Sequence, residues 1–147
     1  MNEREQHFRK LERMYLSAPV NNSLYKGITL HISEEQAGLT LKIKQEFFHA
    51  AGSMHGSVYF KMLDDAAFFA VQSLIQDVFV YTVSFNTQLL RPASQGMIRS
   101  AGEVKFKSSN LFIADAVLYD EKDKVIGRGS GNFMKSKIAL NEEIGYC

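Results

Sequence analysis

Residues 56–76 read GSVYFKMLDDAAFFAVQSLIQ, a run rich in Ala, Met, Leu and Phe with no proline and no glycine after Gly56. This composition predicts one helix, and its apolar residues fall on nearly every side. A helix lying on a surface carries a single apolar stripe, whereas one that is apolar all round is surrounded by other structure. What flanks the run must therefore supply that surround. Upstream, residues 27–32 and 38–43 read as two short strands joined by the polar turn Ser33-Glu34-Glu35-Gln36. Downstream, residues 78–90, 97–107, 111–119 and 124–137 are strand-like, with breaks at 92–96, at Ser108-Ser109-Asn110 and at 120–123. Two strands, a buried helix and four strands predict an α+β fold, an antiparallel β-sheet wrapped around a long central α-helix.

Further out, Phe8, Leu11 and Tyr15 recur at helical spacing until Pro19 ends the pattern, so residues 4–17 read as a short amphipathic helix covering an edge of the core. In the last strand Gly127, Gly129 and Gly131 share one parity and so one face of the sheet. That bare face either lets the helix approach with Phe68 and Phe69 or marks a loosely formed edge. With 147 residues and no repeat, linker or low-complexity tract, the chain is expected to be one domain: residues 1–20 an N-terminal helix and linker, residues 24–137 the core.

Composition narrows the function. Lys plus Arg number 17 against 16 Asp plus Glu, a net charge of +1, which offers no footprint for nucleic acid. The only cysteine is Cys147, so neither an intramolecular disulfide nor a CxxC site can form. The N-terminal segment is charged throughout, and Lys61, Asp64, Asp65 and Gln72 interrupt the most hydrophobic stretch, so neither a signal peptide nor a membrane span is expected. A cytoplasmic location is the expectation.

Asp64 and Asp65 lie well inside the central helix, where neither can cap it, and at 100° per residue they point in different directions. Asp65 shares a polar stripe with Lys61, Gln72 and Gln76, while Asp64 has Ser57, Phe60, Phe68 and Val71 around it. A carboxylate among apolar neighbours is costly unless hydrogen-bonded, and desolvation raises its pKa toward the range useful for general-base work. Periodicity leaves Asp64 open as a functional carboxylate or a satisfied buried acid. Just before the helix stands Gly52-Ser53-Met54-His55-Gly56-Ser57. A glycine-bearing loop entering a helix aims free backbone N–H groups and the positive dipole end at one point, where an anion or a developing oxyanion is held. Many structural helix starts look the same, and His49 and His55 can equally be loop or capping residues.

The segment His49 to Ser57, followed by Asp64 and then by Leu90-Arg91-Pro92-Ala93, resembles the core of the phenylacetate-pathway type of hotdog thioesterases. In that family an Asn or Gln stands six residues before a His-Gly-Gly, the catalytic Asp or Glu follows the His by nine, and a strand ends in a Pro-Ala turn. His49, His55 and Asp64 keep those spacings, and the order of elements agrees from about residue 24 to 137. The resemblance implies an acyl-CoA or aryl-CoA thioesterase in which the Gly56 N–H polarises the thioester carbonyl. Asp64, supplied by the other subunit of a homodimer or tetramer, attacks that carbonyl or activates water. Thr82 is implied as a helper that places the water. His49 stands where the family has an amide, and Ser57 replaces the second glycine.

Thr82 alternates with Ser84, Asn86 and Gln88, against an apolar row of Tyr81, Val83, Phe85 and Leu89, so its row faces either ligand or solvent. For the substrate, Ser57, Phe60 and Phe68 are candidates near the reacting groups, and Arg91, Lys107 and Ser109 are candidates for the phosphates of coenzyme A. No cofactor is expected beyond that coenzyme A, and no metal. A set of His49, His55 and Asp64 has permissible ligand types but is sparse. The rival enzyme on this fold is a hydratase needing an Asp-His pair in the loop before the helix, and residues 46–55 contain no Asp. The rival of a different kind is a non-catalytic acyl-CoA-binding or sensing protein.

Overall fold

The computed structural model describes residues 1–147 and contains the expected elements in the expected order. Helix α1 (Glu3–Ser17) is started by Asn2, whose side chain accepts the Glu5 N–H, with Glu3 and Glu5 favourably placed in the first turn. It stops where Ala18 turns extended ahead of Pro19, and a π-helical turn (Val20–Leu24) follows. Strands β1 (Thr29–Ser33) and β2 (Gln36–Lys42) form a hairpin closed by the pair Ser33 and Gln36. Glu34 and Glu35 alone make its turn, Glu35 in the left-handed region at φ 61°.

Helix α2 (Gly56–Gln72) is followed by β3 (Val78–Leu89), β4 (Met97–Lys107), β5 (Phe112–Tyr119) and β6 (Val125–Ala139). All pairings are antiparallel, and the six strands lie in the order β1-β2-β4-β5-β6-β3. Helix α2 packs across one face of this sheet and touches every strand. Met62, Leu63, Ala66, Ala67, Ala70 and Val71 are wholly buried on it. Complete burial of side chains such as Leu63 or Val71 stabilises by about 1.5–3 kcal/mol each. No helix is long and apolar enough to cross a membrane.

Three expectations change. The helix ends at Gln72 instead of continuing to Gln76, although no proline or glycine marks the stop. Gln72 is fully buried, and its amide donates to the Ile75 and Val78 carbonyls and accepts the Val80 N–H. It thereby folds the chain back into β3 and takes no part in a polar stripe with Asp65. Secondly, the glycine face of β6 does not receive Phe68 and Phe69. Gly127 faces Tyr59 and Leu63, while the space beside Gly129 and Gly131 is filled by Phe85 of the neighbouring strand. Thirdly, the glycine on which the helix rests is Gly102 in β4, where an added Cβ would run into the Ala66 carbonyl.

Candidate active site

Asp64 projects from the middle of α2 toward β3 and is half-buried. The Thr82 hydroxyl donates to its Oδ1 at 2.8 Å. Burial pushes the Asp64 carboxyl up to about 6, opposed by the Thr82 hydrogen bond; the charge of Asp65 raises it further and that of Lys61 lowers it. The group is thus ionised at neutral pH yet basic enough to take a proton.

Thr82 reaches Asp64 through an irregularity in the strand. Thr82 pairs with Phe133 and Ser84 with Asn132, which leaves Val83 as an extra, unpaired residue. Such a bulge shifts side-chain parity by one. Before it Thr82 faces the helix. After it Phe85 does, while Ser84, Asn86 and Gln88 are exposed. The single polar row suggested by alternation therefore does not exist, and Thr82 shares the inner face with Phe85.

Asp65 sits beside Asp64 in a closed network. Its Oδ2 accepts from the Tyr15 hydroxyl at 2.6 Å and from Lys61 at 2.7 Å, and Lys61 also donates to Asn21 at 2.6 Å. Burial first and then the charge of Asp65 hold the Tyr15 hydroxyl far above its usual range, so it remains a donor. The i, i+4 partner Lys61 was visible in the sequence. Tyr15 and Asn21, some forty to fifty residues away, carried no signal.

At the other end of α2, His55 is the N-cap: its Nδ1 accepts the Ser57 N–H at 3.0 Å and pairs with the Ser57 hydroxyl at 2.8 Å. His55 and Ser57 are thus committed to each other as a cap, and the Ser57 N–H is not free for an oxyanion. The Gly56 N–H, by contrast, donates to no group in the chain. It opens into a hollow shared with His49, Tyr59, Leu89 and Arg91. The Tyr59 hydroxyl donates to the Arg91 carbonyl at 2.6 Å and fixes that turn beside the helix entrance.

His49 is exposed and bonded within its own loop, its Nδ1 accepting the Ala51 N–H at 3.1 Å and its Nε2 pairing with the Ser53 hydroxyl at 3.2 Å. Since Nδ1 accepts, the neutral ring carries its proton on Nε2. An amide can make the same contacts, so His49→Gln is expected to lower kcat/KM for a thioester by less than about tenfold. A loss beyond about a hundredfold in a folded variant would instead make His49 an acid or base.

The remaining candidates separate. Phe68 is core, packed on Phe69, Phe79 and Phe133, and lines the cavity beside Asp64. Phe60 does not line it; it is 44% exposed and stands edge-on to Phe85. Lys107 pairs with Glu35 at 2.7 Å, and the Glu35 N–H bonds Ser73 beyond the C-terminal end of α2. Arg91 is held by Tyr59 near the helix N-terminus, so Lys107 and the adjoining Ser109 lie about 20 Å further along the helix axis. They cannot join Arg91 in one phosphate site within a chain. No group of three His, Cys, Asp or Glu is close enough to hold a metal, and His49, His55 and Asp64 are not brought together.

Gly56 and Asp64 are eight residues apart on one helix, about 12 Å along its axis. The free N–H and the basic carboxylate therefore do not meet within one chain.

A profile of the thioesterase superfamily matches residues 51–126, just over half of the chain and the part that contains Gly56 and Asp64. No curated protein matches by sequence. Among solved structures, the PaaI protein from the phenylacetic acid degradation operon of E. coli superposes with a TM-score of 0.84 at 18% identity, covering 95% of this chain and 100% of that one. A phenylacetic-acid-degradation-related protein from Ralstonia eutropha gives 0.76 at 19% identity, with 87% and 98% covered. A thioesterase from Haemophilus influenzae gives 0.76 at 15% identity, with 92% and 93% covered. The fold is the hotdog fold expected from the sequence.

Proposed function

This chain belongs to the thioesterase superfamily, and we propose that it hydrolyses acyl-CoA thioesters as a homodimer whose two active sites each draw on both chains. One observation carries the reading: a half-buried carboxylate, raised to about 6 and steadied through one oxygen by Thr82, lies a fixed distance along α2 from an unpaired N–H at the same helix's N-terminus.

In the reaction the Gly56 N–H and the positive end of the helix dipole polarise the thioester carbonyl. Asp64 either attacks the carbonyl carbon, giving an anhydride that water then cleaves, or takes a proton from water as it attacks. Either way a C–O bond forms, the C–S bond breaks, and the thiolate of coenzyme A leaves and takes up a proton. Thr82 occupies Oδ1 and so leaves Oδ2 to the reacting centre. No cofactor is needed beyond the coenzyme A of the substrate.

The second chain is argued from β3, an edge strand of twelve residues with Tyr81, Val83 and Leu89 exposed. An unpaired, apolar edge of that length invites pairing with another copy. Phe60 stands midway between Gly56 and Asp64, so a two-fold axis near Phe60 sets Gly56 of one chain opposite Asp64 of the other. This favours Phe60 as an interface residue over a substrate contact.

Thiol release from a panel of acyl-CoA esters by the purified protein tests the activity; binding without release would instead favour an acyl-CoA-binding protein. Complementation tests the shared site. Gly56→Pro removes the N–H at a helix position where proline is favoured, and Asp64→Asn removes the base. Each variant alone should be nearly inactive. Refolded together in equal amounts, they should regain about a quarter of wild-type activity, since half the dimers are mixed and each of those has one intact site. Failure to regain activity in demonstrably mixed dimers, or an active monomer, would rule out the shared site.

A further inference from the structure

We infer that the cavity between α1, the C-terminal turn (Glu142–Ile144) and α2 is the acyl site, and that it selects a bulky apolar acyl group, with Ala18 and Ile144 setting its depth. The inference rests on the thioesterase reading above and adds the substrate class. The cavity has a volume of about 410 Å³, with Asp64 and Thr82 on its wall. The rest of it is mainly apolar: Met14, Ala18, Val20, Phe69, Phe79 and Ile144. At about 30 Å³ per water-sized group, that volume takes on the order of ten non-hydrogen atoms. An octanoyl, decanoyl or arylalkanoyl group fills it, and an acetyl group leaves most of it unused.

Most of its polar groups are committed to one another. Tyr15 and Lys61 both donate to Asp65, Lys61 also donates to Asn21, and the Asn21 amide donates to the Tyr15 carbonyl. A polar acyl tail would lose its water here, and a succinyl or malonyl carboxylate would meet Asp64 and Asp65 as like charges, with Lys61 already engaged by Asp65 and Asn21.

The depth-setting wall lies outside residues 51–126, the stretch matched by the family profile. It is nevertheless rigidly built. The Tyr146 hydroxyl bonds His7 at 2.8 Å, and Arg13 donates to the Cys147 carbonyl at 2.7 Å. Gly145 adopts φ +89° where a Cβ would stand 2.7 Å from the Ser17 hydroxyl, so the C-terminal turn can close against the end of α1. That contact holds Ile144 over the cavity.

The test is kcat/KM of the full chain for acetyl-, butanoyl-, octanoyl-, phenylacetyl- and succinyl-CoA. Burial of each methylene is worth roughly a factor of three to four, so octanoyl-CoA, with its longer chain fully buried, should exceed acetyl-CoA by roughly a thousandfold, with succinyl-CoA lowest. Ala18→Phe should cut octanoyl-CoA hydrolysis by about tenfold or more while leaving butanoyl-CoA within about threefold. Ile144→Ala, which opens the cavity, should move the preference to longer chains and serves where Ala18→Phe does not fold. A flat profile, a succinyl preference, or an unchanged profile in folded variants of both residues would overturn the inference. Calorimetric binding to Asp64→Asn keeps this apart from the catalytic reading. Octanoyl-CoA binding tighter than acetyl-CoA, and weakened by adding Ala18→Phe, supports the acyl site even if no ester is cleaved; equal binding overturns it.

Discussion

Asp64→Asn is expected to lower acyl-CoA hydrolysis by roughly two orders of magnitude or more and at the same time to make the protein more stable at neutral pH. The first effect follows from loss of the base, since an amide keeps the size and the Thr82 contact but cannot attack or take a proton. The second follows from the sign of the pKa shift. The folded protein holds the Asp64 proton up to about 6, whereas the ordinary value is 3.8. Between those values the folded state binds more protons than the unfolded one, so the contribution of this group to stability falls as pH rises through that window. Above about pH 6 the whole cost of burying the charge is present. The substitution should therefore recover about 1–3 kcal/mol at pH 7, a few degrees in Tm, and the gain should vanish near pH 4. In the wild type, kcat/KM should fall as pH drops through about 6.

Asp65→Asn is the control. Its carboxylate, 17% exposed and held by Tyr15 and Lys61, is tied more firmly than a surface residue. Its loss should cost about 1–3 kcal/mol of stability but leave most activity, and the acid limb of the pH profile should move lower, because the charge of Asp65 raises Asp64. If Asp65→Asn proved the more damaging to catalysis, Asp64 would not be the base.

The largest expected effect on stability is at Gly102. A methyl group there meets the Ala66 carbonyl and the backbone of Ala67, which cannot swing aside as a side chain can. Gly102→Ala is therefore expected to destabilise by roughly 3 kcal/mol or more, a Tm fall of about 6–12 °C. Gly38, on the adjacent strand β2 opposite Ala101 and so on the other face of the sheet, is the comparison. An added Cβ there meets only the Ser100 carbonyl at 3.6 Å, an ordinary contact. Gly38→Ala should be neutral or slightly stabilising through reduced chain entropy. Urea unfolding of both variants measures the difference, and equal stabilities would mean that α2 is not seated on β4 at this point.

Much of this protein is legible along the chain. The all-round apolar run at 56–72, flanked by alternating segments and turn residues, determines a central helix and an antiparallel sheet, because helix and strand periods are local properties. The same local geometry turns Asp64 toward apolar neighbours and Asp65 toward Lys61. What tertiary structure alone decided lies where a contact spans distant residues or a register slips. The extra residue Val83 reverses the parity that alternation assigns, and so aims Thr82 at Asp64. The topology puts Lys107 and Ser109 at the opposite end of α2 from Arg91, although all three adjoin turns that look alike in sequence. Gly102 carries no local mark that distinguishes it from Gly38, because its neighbour Ala66 belongs to another element. The cavity wall likewise joins Ala18, Asp64 and Ile144, which are far apart in sequence and meet only because α1 and the C-terminal turn close over α2. Periodicity records which way a side chain points, but only the packed fold determines what it meets.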